Sequence, residues 1–148
     1  MKIRNATEKD IPDLAVLSRR FVKEISAFGL VALTEGYLKK LDTKLIWVVE
    51  DSNRLVGYAL CLPHKNDGSF IFTEDDKILR LDEIYLVPES RGEGIGSQLI
   101  KIVERYAKTH GYTKLFIYSS VKELDPVLKF YRGNGFKTWA VQFFKEIN

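Results

Sequence analysis

The sequence predicts a mixed α/β (α+β) fold, with a central sheet of about six to seven strands flanked by about four helices. Three observations carry that expectation. Short runs rich in β-branched and aromatic residues alternate with segments whose apolar residues recur at helical spacing. Asp51-Ser52-Asn53-Arg54 is turn chemistry between two apolar runs, the mark of an antiparallel hairpin. From Ile78 to His110 an apolar strand, a glycine turn and a long helix follow one another, and a further strand comes next. The pairing is therefore mixed.

Ile3 to Ala6 reads as a short strand. Asp10 stands as an N-cap, with Pro12 and Asp13 in the first turn, and Ile11, Leu14, Leu17, Phe21 and Ile25 form an apolar stripe to about Ser26. Ala27 to Leu33 has no clear period. Thr34 caps a short helix through Glu35, Tyr37, Leu38 and Leu41. Leu45 to Val49 and Leu55 to Leu62 are the hairpin strands, and Phe70-Ile71-Phe72 is a candidate extended piece. Ile78 to Val87 is so apolar that it calls for cover on both faces, and Pro88 ends it. Ile95, Leu99, Ile102, Val103, Tyr106 and Ala107 then mark a helix closed by His110 and Gly111. Lys114 to Tyr118 is another buried strand, Asp125-Pro126 opens a short helix, and Gly133, Asn134 and Gly135 end it. Phe136 to Ile147 alternates, with Trp139, Val141, Phe143 and Ile147 on one face, as a last strand.

At 148 residues the chain suits one domain spanning 1–148, with no linker, repeat or low-complexity tract. Its 23 basic and 20 acidic residues are interspersed and leave a net charge of only +3, which does not point to nucleic acid. Cys61 is the sole cysteine, with His64 and His110 the only histidines, so metal-ligand spacing is absent. No apolar run suits a signal peptide or a membrane span, and the expected place is the cytoplasm.

The glycines sit where chemistry is expected. Gly92, Gly94 and Gly96 join the apolar strand to its helix. The first N–H groups of a helix lack intrahelical partners and carry the positive end of the macrodipole, so they hold anions. Glycine removes the side chains that would keep a phosphate away. Gly96 is followed by Ser97-Gln98 rather than Lys-Ser, so a P-loop fits poorly. A dinucleotide fingerprint wants its third glycine where Ser97 stands.

Leu86-x-Pro88-x-x-Arg91-Gly92-x-Gly94-Ile95-Gly96-Ser97-x-Leu99 resembles the coenzyme A-binding motif of GNAT-superfamily N-acetyltransferases. Tyr131-x-x-x-Gly135-Phe136 is similar to that family's second signature, at the family's separation from the first. The resemblance covers essentially the whole chain. It implies a GNAT fold and transfer of an acetyl group from acetyl-CoA to a primary amine, on a small molecule or a polypeptide, in a ternary complex. Arg91, Gly92, Gly94, Ile95, Gly96 and Ser97 would hold the diphosphate, and the backbone of Tyr85, Leu86 and Val87 would pair with the pantetheine arm as though it were an added strand.

Acetyl transfer needs a base for the ammonium, an acid for the departing thiolate and a donor for the oxyanion. The resemblance points to Tyr131 as the acid. For the base it favours Asp82, with Glu83 the other candidate; strand alternation puts Asp82 with Arg80, Ile84 and Leu86, and Glu83 with Leu81, Tyr85 and Val87. The oxyanion donor would be a backbone N–H at a bulge around Leu86 or Val87. An Asn common in the family is Leu124 here, with Ser119, Ser120 and Asp125 the nearby polar residues. Cys61 and His64 read as a core cysteine and a surface histidine. Glu24, Glu35 and the Glu74-Asp75-Asp76 cluster suit either a cationic acceptor or a solvated surface, and Trp139, Phe143 and Phe144 allow a homodimer. Two other readings use the same glycine turn: a catalytically weak acyl-CoA-binding regulatory module, and a nucleotide-binding regulator.

Overall fold

The computed structural model describes residues 1–148 except 26–28, 70, 120–122, 142–144 and 148. Five strands form one sheet in chain order: β1 (Lys2–Asn5), β2 (Ile46–Asp51), β3 (Arg54–His64), β4 (Ile78–Leu86) and β5 (Lys114–Ile117). Strands β1 to β4 pair antiparallel and β5 runs parallel to β4. The helices are α1 (Ile11–Ile25), α2 (Glu35–Leu38), α3 (Ile95–Thr109) and α4 (Leu124–Gly133). The mixed sheet and its four helices match expectation, with fewer strands among the described residues. Residues 136–141 and 145–147 form no strand, and Trp139 and Val141 are exposed. Phe143, Phe144 and Ser120 lie outside the described residues. Of the candidate extended piece, Phe70 lies outside the described residues, Ile71 lies in a turn and Phe72 is buried outside any strand.

Two cores sandwich the sheet, and strand alternation assigns residues to each. Ile46, Val48, Tyr58 and Leu60 pack with Leu14, Ala15 and Leu17 of α1 and Leu38 of α2. Trp47, Val49, Ala59 and Cys61 pack with Leu99, Ile100 and Val103 of α3. Each fully buried Leu or Ile removes enough apolar surface from water to contribute about 1.5–3 kcal/mol. The hairpin turn follows its residues: Ser52 and Asn53 both take positive φ, 47° and 63°, the twist that matches two antiparallel strands.

Two caps differ from expectation. Asp10 ends a 3-10 turn (Glu8–Asp10) instead of capping α1. Its carboxylate accepts from the Thr7 amide (2.7 Å) and grips the Arg4 guanidinium with both oxygens at 2.8 Å, a bidentate pair that outweighs a cap. That cation holds the Asp10 carboxyl down to about 2. In α4 the cap position is Glu123, which leaves Asp125 and Pro126 inside the first turn. Proline is tolerated there because early helical N–H groups have no acceptor.

Candidate functional site

Strand β4 changes character midway. From Ile78 to Leu81 it is paired on both edges, to β3 and to β5, the last parallel pair being Leu81 with Ile117. Beyond Leu81 β3 alone pairs with it among the described residues, so the parallel pairing of β4 with β5 ends there. The register also slips there: Cys61 faces Leu81 while Leu60 faces Glu83, leaving Asp82 as an extra residue, a β-bulge. The bulge reverses the alternation expected from sequence. Leu81 packs in the α3 core, whereas Tyr85 and Val87 pack in the α1 core, so Glu83 does not share the Leu81 face. The bulge also lies before the Leu86–Val87 position expected for it.

The backbone beyond the bulge divides into used and available groups. The Val87 amide donates to the Val56 carbonyl at 2.9 Å, and the Val87 carbonyl accepts from the Ser90 amide at 2.9 Å. Alternation then turns the backbone of Tyr85 toward β3 as well, and the backbone of Ile84 and Leu86 toward the open edge. Gly57 permits this arrangement. A Cβ there would stand 2.4 Å from Leu86 Cδ2 and 2.6 Å from the Tyr85 carbonyl oxygen.

The glycine turn lies just past this open edge. Gly92 and Gly94 take φ of 86° and 77°, left-handed values that cost a residue with a Cβ about 1 kcal/mol or more. Apart from the glycines themselves and their chain neighbours, no described atom lies within 4 Å of where their Cβ atoms would be. Gly94 is the N-cap of α3, and the first bond across that cap runs from the Gln98 amide to the Gly94 carbonyl. The amides of Ile95, Gly96 and Ser97 precede it in the first turn. Gly96 serves packing: its Cβ would stand 3.1 Å from Phe130 of α4. Arg91 turns away from this turn. Its guanidinium donates to the Leu86 carbonyl at 2.9 and 2.7 Å and pairs with Glu24 of α1 at 2.7 Å.

Acid–base groups gather on the α1 side. Glu83 is buried, and its Oε2 accepts from the Tyr58 hydroxyl and, at 3.5 Å, from Ser18 of α1. Ser18 Oγ in turn accepts from the Leu33 amide at 2.9 Å. Burial raises the Glu83 carboxyl to about 7, against the opposing pull of the Tyr58 hydrogen bond. Burial and the adjacent Glu83 push the Tyr58 phenol far up. Asp82 sits at the bulge and ion-pairs with Arg80 at 2.6 Å. Glu24 accepts from the Tyr85 hydroxyl at 2.9 Å, and burial with that bond lifts Tyr85 to about 12.

Tyr131 lies on α4, between Phe130 (ring centroids 5.1 Å) and Phe136 (5.5 Å). Burial raises its phenol to about 12, so it is fully protonated at neutral pH. The Phe136 amide donates to the Tyr131 carbonyl at 3.0 Å, and Gly135 takes a φ of 84°, so the second motif is also a helix closure.

Sequence reasoning missed Tyr58 and Ser18. Both read as ordinary strand and helix residues, and they meet Glu83 only across 25 and 65 positions of chain. Cys61 is core, as expected. His64 is partly buried, its ring tilted against those of Phe72 and Phe116, rather than on the surface. Asp76 ties the acidic loop to β5 through Lys114 (2.6 Å) and Thr113 (2.7 Å). Among the described residues no cluster of His, Cys, Asp and Glu is arranged for a metal ion, and no helix is long and apolar enough to cross a membrane.

Residues 13–136 match the model of the acetyltransferase (GNAT) family. The chain belongs to this family. It is 28% identical over 122 residues to N-acetyltransferase family 8 member 2 of Rattus norvegicus, covering 82% of this chain and 50% of that protein. An uncharacterised N-acetyltransferase of Archaeoglobus fulgidus is 30% identical over 115 residues, covering 72% of this chain and 74% of its own length. The chain thus spans about half the length of the mammalian relatives it matches. The aminoglycoside N-acetyltransferase AAC(6')-Iy, solved in complex with CoA, superposes with a TM-score of 0.74 at 16% identity over 99% of this chain and 100% of its own. A putative acetyltransferase from Pyrococcus furiosus superposes with a TM-score of 0.71 at 22% identity, over 99% of both chains. These superpositions show that the chain has the GNAT fold.

Proposed function

We propose that the chain, as one domain, transfers the acetyl group of acetyl-CoA directly to a primary amine, on a small molecule or a polypeptide, in a ternary complex. The observation that carries this is the parting of β4 from β5 after Leu81, with the glycine turn and the first turn of α3 beside the open half. Amides of Gly92 to Ser97 bind the diphosphate. The outward backbone of Ile84 and Leu86 pairs with the pantetheine arm, which requires Arg91 to leave the Leu86 carbonyl. The solved CoA complex of AAC(6')-Iy supports the cofactor on fold grounds.

The proton steps fall to residues on opposite sides of the strand. Glu83, raised to about 7, is half ionised near neutral pH and matched to taking a proton from an ammonium of reference pKa about 10.4. Tyr58 and Ser18 hold its carboxylate in place. Glu83 is preferred to Asp82 because the Asp82 carboxylate is held by Arg80. Tyr131 keeps its proton at pH 7 and delivers it to the departing sulfur. The amides of Leu86 or Ile84 are the backbone donors for the oxyanion.

Thermal shift with acetyl-CoA, followed by thiol release across a panel of primary amines, tests this reading. Acetyl-CoA raises Tm in a saturable way and at least one amine is acetylated with stoichiometric release of CoA. Saturable binding with no amine acetylated favours the regulatory module instead, and better protection by ATP or NAD than by CoA favours the nucleotide reading.

A further inference from the structure

A charge cluster ties the second half of α1 to the segment between β4 and the glycine turn. Arg20 and Glu24 stand one helical turn apart on α1. Arg20 donates to both carboxylate oxygens of Glu89 at 2.8 and 3.0 Å, and Glu24 pairs with Arg91 at 2.7 Å. The two cations and two carboxylates balance. The Glu24 end holds more than an ion pair. Its other carboxylate oxygen accepts from the Tyr85 hydroxyl at 2.9 Å, and Arg91 Cζ lies 5.6 Å from the Tyr85 ring centre, within cation–π reach. Glu24 also stands in the last turn of α1, where a helix presents its negative end. A carboxylate, an aromatic face and a helix C-terminus together make a seat for a cation, and Arg91 occupies it.

We propose that Glu24 and Tyr85 form an acceptor subsite for a second positive charge, so that the amine acetylated is one that carries a further cationic group. The inference rests on the proposed pairing of the pantetheine arm with Leu86 and names the acceptor class of that same site. Arg91 gives the Leu86 carbonyl two hydrogen bonds, at 2.9 and 2.7 Å, which use both of its lone pairs. The arm therefore displaces Arg91 when it pairs there. One Arg91 nitrogen, Nη2, makes both the Leu86 and the Glu24 contact, so losing the first loosens the second. Arg20 stays with Glu89, and the Glu24 carboxylate is left to be balanced by another cation. The position suits an acceptor. Past the bulge Glu83 and Tyr85 both face α1, two residues or roughly 7 Å apart along the strand. An amine at Glu83 thus brings a second charge, at the far end of a short linker, to Tyr85 and Glu24. A charge-assisted contact of this kind discriminates about tenfold.

Thiol release from acetyl-CoA with putrescine and with butylamine, equal in carbon chain and different in charge, tests the assignment. The diamine is favoured about tenfold in kcat/KM, Glu24→Gln brings the ratio close to one, and Glu24→Asp keeps part of it. A peptide with arginine second from its free amine, set against the same peptide with alanine there, serves as the other arm. A preference confined to that pair assigns the charge to a polypeptide acceptor rather than a small molecule. A readout without turnover covers the case of an inactive variant. Putrescine raises Tm in the presence of CoA and not without it, whereas in Arg91→Ala it does so alone. Acetylation with no preference for a second charge in either arm overturns the assignment and leaves acetyl transfer standing, as does an undiminished preference in Glu24→Gln or a putrescine shift indifferent to CoA. Acetylation of no amine at all overturns the transfer reading and the assignment with it.

Discussion

The two halves of β4 share one strand and one antiparallel neighbour, yet they do different work. Ile78 to Leu81 is enclosed by β3 and β5, its backbone bonds spent on both sides, and Leu79 and Leu81 are fully buried. Past the Asp82 bulge β3 is the strand's one pairing partner among the described residues, and the backbone of Ile84 and Leu86 faces away from it. The contrast teaches that the proposed site depends on the end of a pairing. Once β5 parts, the backbone groups of Ile84 and Leu86 need partners, as buried or half-buried peptide groups do. Arg91 meets that need at the Leu86 carbonyl.

The sharpest way to separate the halves is Leu81→Ala. It empties a packed position in the α3 core and is expected to cost about 2–5 kcal/mol, read as a lower midpoint in urea. The KM for acetyl-CoA, measured where the variant is folded, stays within about twofold; a rise above tenfold contradicts the division. Glu83→Gln probes the open half from the other direction. Turnover falls about a hundredfold, close to 2.7 kcal/mol. The acid limb of the pH–rate profile, centred near 7 in the unaltered protein, disappears. The same group reports on stability. Its folded pKa is raised from 4.5 to about 7, so the folded state binds the extra proton between those values and loses stability as pH rises through them. The Gln variant, with nothing to titrate, gains relative to the unaltered protein above pH 7. Equal pH dependence of Tm in the two proteins removes the argument for a buried, proton-holding Glu83.

Gly57→Ala acts on the seam between β3 and the open half. Its methyl meets a backbone oxygen and the Leu86 side chain, so about 2 kcal/mol of stability is lost. The KM for acetyl-CoA rises with it, because Leu86 is displaced. Unchanged affinity in the folded variant argues against pairing of the arm with Leu86. Tyr131→Phe should have the smallest effect: about tenfold in turnover, with acetyl-CoA binding and Tm nearly unchanged, since the hydroxyl has no hydrogen bond within the described residues to lose. Unchanged turnover assigns Tyr131 to packing with Phe130 and Phe136 alone.

Much of this was legible in the residues. The hairpin turn, the α3 stripe and the strand–glycine–helix order are local patterns, set by propensity and side-chain period over a few neighbours. The pair of motifs was specific enough to name the family. Glu83 appeared only as one of two adjacent carboxylates, because alternation was counted straight through a bulge that no local residue announces. Asp10 has the residue type and position of a cap, but its carboxylate is engaged by Arg4 of β1, a partner that cap chemistry does not announce. The Arg91–Glu24–Tyr85 contacts and the Tyr58–Glu83–Ser18 contacts join residues far apart in the chain, and nothing at either end marks the other.

By itself, then, the sequence determined most of the element types, the apolar stripes that fill the core and the glycine turn at the start of α3, because each depends on spacing within a single segment. The tertiary structure alone decided where β5 leaves β4, which carboxylate is buried and raised, and which backbone groups face the opening. Those outcomes depend on register between strands and on burial from both faces, and register is a relation between segments rather than a property of any one of them.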